Sequence, residues 1–178
     1  VLRKSMTRAL MFSESKLLNM RPSNHFYAVC GIVSIDGKVL FVRHTYGMAK
    51  DRILIPGGYV REGELPTAAV EREIFEETSI RTKAESVFAV QFRPEQWCVV
   101  FLMKHISGEP KSDGYENSEV MLLTPQEAVD RSDITNMSRA ILKSYIQDEN
   151  NTLGLGHYRS ISLTEGEYEI FGSGEGKN

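Results

Sequence analysis

Cysteine is scarce: two of 178 residues, Cys30 and Cys98, with no C-x-x-C pair. That excludes a disulfide framework and a zinc ribbon. Both lie in apolar, strand-like runs and read as buried reduced thiols. No stretch approaches the roughly 18 consecutive apolar residues of a membrane span, and no charged-then-apolar leader opens the chain. The expectation is a cytoplasmic protein with no membrane partner. An excess of one charge sign is also missing, since 21 Lys and Arg stand against 24 Asp and Glu, a net charge of −3, with pI near 5.9. The basic residues are scattered, so no field exists to hold a nucleic acid duplex. Internal repeats and low-complexity blocks are absent.

What is there suits one ordinary domain, with 41% apolar residues and 14 glycines. A chain of this size buries about 70% of its unfolded surface and needs no metal for stability, so any metal site is functional. Residues 1–24 read as a lead-in arm with short amphipathic helices, 25–150 as the main domain, and 151–178 as an extension with a hairpin over 158–163 and 167–171 and a frayed glycine-rich end.

Within the main domain, Phe26 to Val33 and Lys38 to Val42 flank Asp36-Gly37, the signature of a two-residue hairpin. Ile53 to Ile55 enters a bend at Pro56-Gly57-Gly58. Pro66 to Glu77 carries good helix formers behind a proline at the first turn, with no internal glycine. Two strands, Ser86 to Phe92 and Trp97 to His105, follow. Glu119 to Leu123 is a further strand, Thr124-Pro125-Gln126-Glu127 opens a capped helix, and a last helix spans Met137 to Gln147. Strands pairing mainly as hairpins around a central helix predict a layered α+β domain, a mixed sheet between helices.

The chemistry concentrates in that central helix. Glu73, Glu76 and Glu77 lie at i, i+3 and i+4, sharing an arc of about 100°. Like charges so spaced repel by a few tenths of a kcal/mol per pair, a cost that a cation among them removes. Carboxylate oxygens suit a hard divalent ion such as Mg²⁺. Arg72, four residues before Glu76, can orient one carboxylate, and Glu64 can reach back over the helix start. The carbonyls of Gly57 and Gly58 stand at the bend, where backbone oxygens can face an ion.

The full spacing from Gly58 through Glu64 to Arg72-Glu73-Ile74-Phe75-Glu76-Glu77-Thr78-Ser79-Ile80 resembles the box of the Nudix superfamily, G-x5-E-x7-R-E-U-x-E-E-x-G-U with U a bulky aliphatic residue. Only Ser79 departs, standing where the pattern has glycine at the helix end. A serine there either adopts a left-handed cap at a cost of about 1 kcal/mol or ends the helix differently. The resemblance implies a hydrolase that uses Mg²⁺ or Mn²⁺ to cleave the pyrophosphate of a nucleoside diphosphate linked to another group: a nucleotide-sugar, an ADP-ribose-like molecule or a nucleoside triphosphate. By position it makes Glu73, Glu76 and Glu77 metal ligands, the Gly57 carbonyl a further ligand, and Arg72 their orienting partner. Glu116 and Glu119, in the loop before the Val120 strand, are the candidates for the general base, with a box glutamate as the rival.

Selectivity beyond the box is less legible. Arg43, Arg52, Arg61 and Arg93 are candidate phosphate contacts, and Tyr46, Tyr59, Phe92 and Trp97 candidate stacking platforms. The histidines, His25, His44, His105 and His157, share no spacing and read as surface or strand positions. The alternative function is a catalytically silent domain that senses a nucleotide metabolite, motivated by Ser79 and the tail. A diphosphate isomerase would need a paired acid and thiol, for which Cys98-Val99 offers no signature. The sequence also allows a homodimer.

Overall fold

The computed structural model describes residues 26–147, 154–159 and 167–172; the arm expected over 1–24 lies outside them. β1 (Phe26–Ile35) turns into β2 (Lys38–His44) through Asp36 and Gly37, at φ 49° and 77°. This is the left-handed pair that a two-residue hairpin requires. A 3₁₀ turn at Gly47–Ala49 leads to β3 (Ile53–Leu54), and β4 (Gly57–Tyr59) follows. Where the sequence suggested only a bend, β4 pairs antiparallel with β1, Gly57 opposite Cys30. A β-carbon on Gly57 would lie 2.1 Å from the Val29 carbonyl oxygen, so only glycine allows that approach.

Helix α1 (Pro66–Thr78) matches the expected span to within a residue. β5 (Arg81–Phe92) begins five residues earlier than expected, because charged Arg81, Lys83 and Glu85 alternate with residues that face inward in part, and β6 (Gln96–Ser107) pairs with it. β7 (Asn117–Leu123) pairs with β2. α2 (Pro125–Asp130) starts from the Thr124–Glu127 capping box, and α3 (Asn136–Gln147) closes the domain. In the extension β8 (Gly154–Arg159) and β9 (Glu167–Gly172) form a hairpin, β8 starting four residues before the expected strand; β9 continues the sheet beside β5.

β1 and β6 run parallel and the other pairings are antiparallel, giving a mixed sheet in the order β3-β2-β1-β6-β5-β9-β8, with β4 and β7 off that path. Period-two alternation sends Ala28, Cys30, Ile32, Val39 and Phe41 to one face, under Ile141 and Leu142 of α3. It sends Val29, Val33 and Leu40 to the other, under Ala69, Val70 and Ile74 of α1. Gly31 lies on that second face, where a β-carbon would meet Ile74 and Met103 at 2.7 and 2.6 Å, so its bareness seats α1 close to the sheet. The layered α+β expectation is met.

Candidate active site

The carboxylate face of α1 is organised by one guanidinium. Arg72 donates through Nε and Nη2 to both oxygens of Glu64, each at 2.8 Å, and through Nη1 to Glu73 at 2.6 Å and Glu76 at 3.0 Å. Nη2 also donates to the Tyr59 carbonyl at 3.1 Å, tying β4 to the helix. Arg72 thus binds three carboxylates and not only Glu76. Its two-pronged grip, with the Arg61 backbone N–H donating at 3.0 Å, holds the Glu64 carboxyl down to about 2. Glu64 in turn leads the groups that raise the Arg72 pKa. Arg61 adds a second cation, Nη2 lying 3.3 Å from Glu76.

Glu77, 2% exposed, accepts the Gly57 N–H at 2.9 Å. Burial pushes its carboxyl upward, against the pull of His44 and of the Gly57 N–H. His44 Nε2 stands 3.5 Å from Oε1, too long for a strong hydrogen bond, and has no hydrogen-bond partner although buried. Burial also raises the Glu73 carboxyl, opposed by Arg72. That carboxylate rests on Gly58, where a β-carbon would fall 2.5–2.7 Å from its atoms. At the helix end Ser79 takes φ 61°, ψ 9°, and its N–H donates to Phe75 O at 2.9 Å. Serine therefore adopts the left-handed cap that glycine would.

Among the described residues no three Asp, Glu, His or Cys side chains form a ready metal cage. Arg72 draws Glu73 and Glu76 to itself, and one Glu77 oxygen is committed to Gly57. The donor set nevertheless fits a hard divalent ion: three carboxylates and the Gly57 carbonyl, all oxygen, on one wall. Burial opposes the ionisation of two of those carboxylates. A cation among those carboxylates offsets the cost of their ionisation.

The wall belongs to a cavity of about 930 Å³. Gly57, Glu73, Glu76, Glu77, Glu116, Arg52, Arg61, Arg93, Tyr46 and Tyr59 all line it, so the structure brings most of the sequence-derived candidates together. Arg43, Glu64, Arg72, Phe92, Trp97 and Glu119 do not line it. Arg43 donates to Glu119 and Asp133, each at 3.0 Å, and to the Asp51 carbonyl at 2.8 Å. The Arg43–Glu119 pair is set by β2–β7 register. Arg43 and Glu119 are thus bonded to each other, and Arg43 to Asp133, outside the cavity lining. Trp97 packs edge-on against Tyr27 and Phe92, at 6.2 and 5.1 Å between centroids, and not against the cavity.

Sequence reasoning also missed residues. His44, read as an ordinary strand position, lines the cavity and stacks on Tyr46 at 5.4 Å and 12°. Cys30 and Cys98 are buried and reduced as expected, but their sulfurs lie 3.8 Å apart in the cavity lining. The Cys98 sulfur and burial push the Cys30 thiol well up. Gln91 lines the cavity as well. Only the alternation of β1, β5 and β6 could have pointed to these positions, and it does not say which face carries the site.

A family-wide profile of the Nudix domain matches residues 24–145. The chain is 35% identical over 91 residues to an ADP-ribose pyrophosphatase of Methanocaldococcus jannaschii, covering 48% of this chain and 54% of that protein. It thus spans about half that relative's length. It is 30% identical over 112 residues to a MutT-like protein of Streptomyces ambofaciens, covering 62% of this chain and 71% of that one. Among solved structures, a Nudix hydrolase from Nitrosomonas europaea superposes with TM-score 0.65 at 25% identity, over 71% of this chain and 72% of that one. A Chromobacterium violaceum protein described as a Nudix hydrolase family member gives 0.57 at 26%, over 72% and 84%. With Gly58, Glu73, Glu76 and Glu77 of the box lining one cavity and the domain profile spanning most of the chain, the chain belongs to the Nudix family.

Proposed function

We propose that the protein is a pyrophosphohydrolase that cleaves the phosphoanhydride of a nucleoside diphosphate linked to another moiety, dependent on Mg²⁺ or Mn²⁺. The observation that carries this reading is the convergence of Glu73, Glu76 and Glu77 on one cavity wall, with two cationic side chains, Arg72 and Arg61, bonded among them.

Glu73, Glu76, Glu77 and the Gly57 carbonyl would hold the ion, which when bound supplies charge neutralisation at phosphate and a water of lowered pKa. Arg72 fixes the directions of Glu73 and Glu76, and Glu64 fixes Arg72. Gly57 N–H holds Glu77. Glu116, on the facing loop, accepts the proton of the attacking water. Its loop is anchored where Asp113 accepts the N–H groups of Tyr115, Glu116 and Asn117. Arg52 and Arg93 offer cationic donors to phosphate, and Tyr46 and Tyr59 offer faces to the organic part. These roles rest on positioning and fixed electrostatics. Ser79, which holds the left-handed cap, gives the silent-sensor reading no support.

The test is a panel of nucleoside diphosphate derivatives with Mg²⁺, Mn²⁺ or chelator, followed by ³¹P NMR in ¹⁸O water. Turnover that needs the divalent ion and falls by about 10²-fold or more in Glu76→Gln is expected. Absence of turnover on every member with either ion would refute the proposal.

A further inference from the structure

Away from the acidic wall, the cavity runs into a recess between the sheet and α3, floored by Ala28, Cys30 and Cys98 and bounded by Ile55 and Met137. Ser138 at its edge is engaged by the Ile55 N–H and Thr135, whereas another buried polar side chain is not so engaged. Gln91 of β5, directly opposite Cys98 in the β5–β6 register, is 4% exposed and lines the cavity. Its amide makes no side-chain hydrogen bond among the described residues; the backbone groups belong to the ladder.

Its amide is not among the sealed, unpartnered polar atoms of the interior, so it opens onto the cavity, where a seated ligand that fails to bond it would leave it dry and unpaired. The amide carries a donor and an acceptor side by side, which match the adjacent donor and acceptor on a nucleobase edge. The flat, apolar, sulfur-lined floor suits a planar ring. Arg93, just past the end of β5, lines the same cavity. We infer that Gln91 is a specificity-determining residue: it reads the hydrogen-bonding edge of the substrate's nucleobase, seated over Cys30 and Cys98, while the diphosphate reaches the acidic wall. The inference rests on the hydrolase reading and adds to it which end of the substrate the recess takes. The physical basis of discrimination is that a wrong edge leaves the buried amide unpaired, whereas a purely apolar slot separates bases poorly.

The test compares wild type with Gln91→Leu on ADP-, GDP-, CDP- and UDP-ribose and on a base-free P1-methyl P2-ribosyl diphosphate. Calorimetric binding of AMP, GMP, CMP and UMP runs in parallel. Wild type is expected to prefer one base by at least about 10-fold, and Gln91→Leu to lose 10- to 100-fold in kcat/KM on that base through KM. The variant flattens the preference, leaves the base-free ester unchanged and melts no lower. Retention of the wild-type base order in the variant, or equal losses on all substrates including the base-free one, overturns the inference. Should Gln91→Leu fail to fold, Gln91→Glu keeps the shape with acceptors only and must reorder the bases; an unchanged order overturns it. If no diphosphate is hydrolysed but monophosphate binding is base-selective and Gln91→Leu abolishes that selectivity, the hydrolase reading falls and the base-reading role stands.

Discussion

Ser79→Gly should make the protein more stable while leaving its chemistry alone. Ser79 sits at φ 61°, a left-handed conformation that costs a residue with a β-carbon about 1–2 kcal/mol. Its side chain is exposed and donates or accepts no hydrogen bond among the described residues, so glycine loses no contact. Against the relief stands the greater freedom of glycine in the unfolded chain, about 0.4–1 kcal/mol. The net gain is about 0.5–1 kcal/mol, which for a domain of this size raises Tm by about 1–4 °C. The cap itself, Ser79 N–H to Phe75 O at 2.9 Å, is a backbone bond that either residue makes. Differential scanning calorimetry on wild type, Ser79→Gly and Ser79→Ala checks this. Alanine keeps the β-carbon, so its Tm stays within about 1 °C of wild type, and divalent-dependent turnover in Ser79→Gly stays within about twofold. A Ser79→Gly protein melting at or below wild type, or an alanine variant as stable as the glycine one, would refute the reasoning.

Arg72→Lys removes the fork that binds Glu64 with two hydrogen bonds and Glu73 and Glu76 with one each; kcat/KM should fall about 10- to 100-fold, with a matching rise in the Mg²⁺ concentration for half activity. Gly58→Ala places a β-carbon 2.5 Å from the Glu73 carboxylate, so activity should drop by a similar factor while the fold holds. Gly57→Ala meets the Val29 carbonyl oxygen at 2.1 Å and should instead cost about 3 kcal/mol or more of folding stability, read by urea unfolding. Glu77 is buried and its carboxyl raised, so it lowers stability progressively as pH rises from the ordinary carboxyl value, in full above the raised one, and not at all below the ordinary value. Glu77→Gln should therefore melt no lower than wild type at pH 8 in chelator while losing turnover. Asp133 has the opposite sign: Arg131 and then Arg43 hold its carboxyl well below the ordinary value near 4, so its contribution is complete above that value and lost as pH falls below it. Melting curves from pH 7 down to pH 2 should show a shallower acid limb for Asp133→Asn than for wild type.

Local chemistry alone determined much of this protein. Asp36-Gly37 can sustain two left-handed residues and thus dictates the β1–β2 turn; Pro66 opens α1; and the 3.6-residue period places Glu73, Glu76 and Glu77 on one arc. These features depend on neighbours within a few residues, so a linear reading captures them. The tertiary structure decided the rest. Glu64 became the strongest partner of Arg72 because the loop before α1 folds back along it. β2–β7 register set Arg43 against Glu119, 76 positions away, outside the cavity lining. Gln91, Cys98 and Cys30 came to share one recess through the pairing of β5, β6 and β1, and His44 came beside Glu77 because β2 ends against the site. Alternation tells which residues share a face of a strand. Which face meets which helix, and where a cavity opens between them, is fixed by contacts distant in sequence that no local pattern encodes.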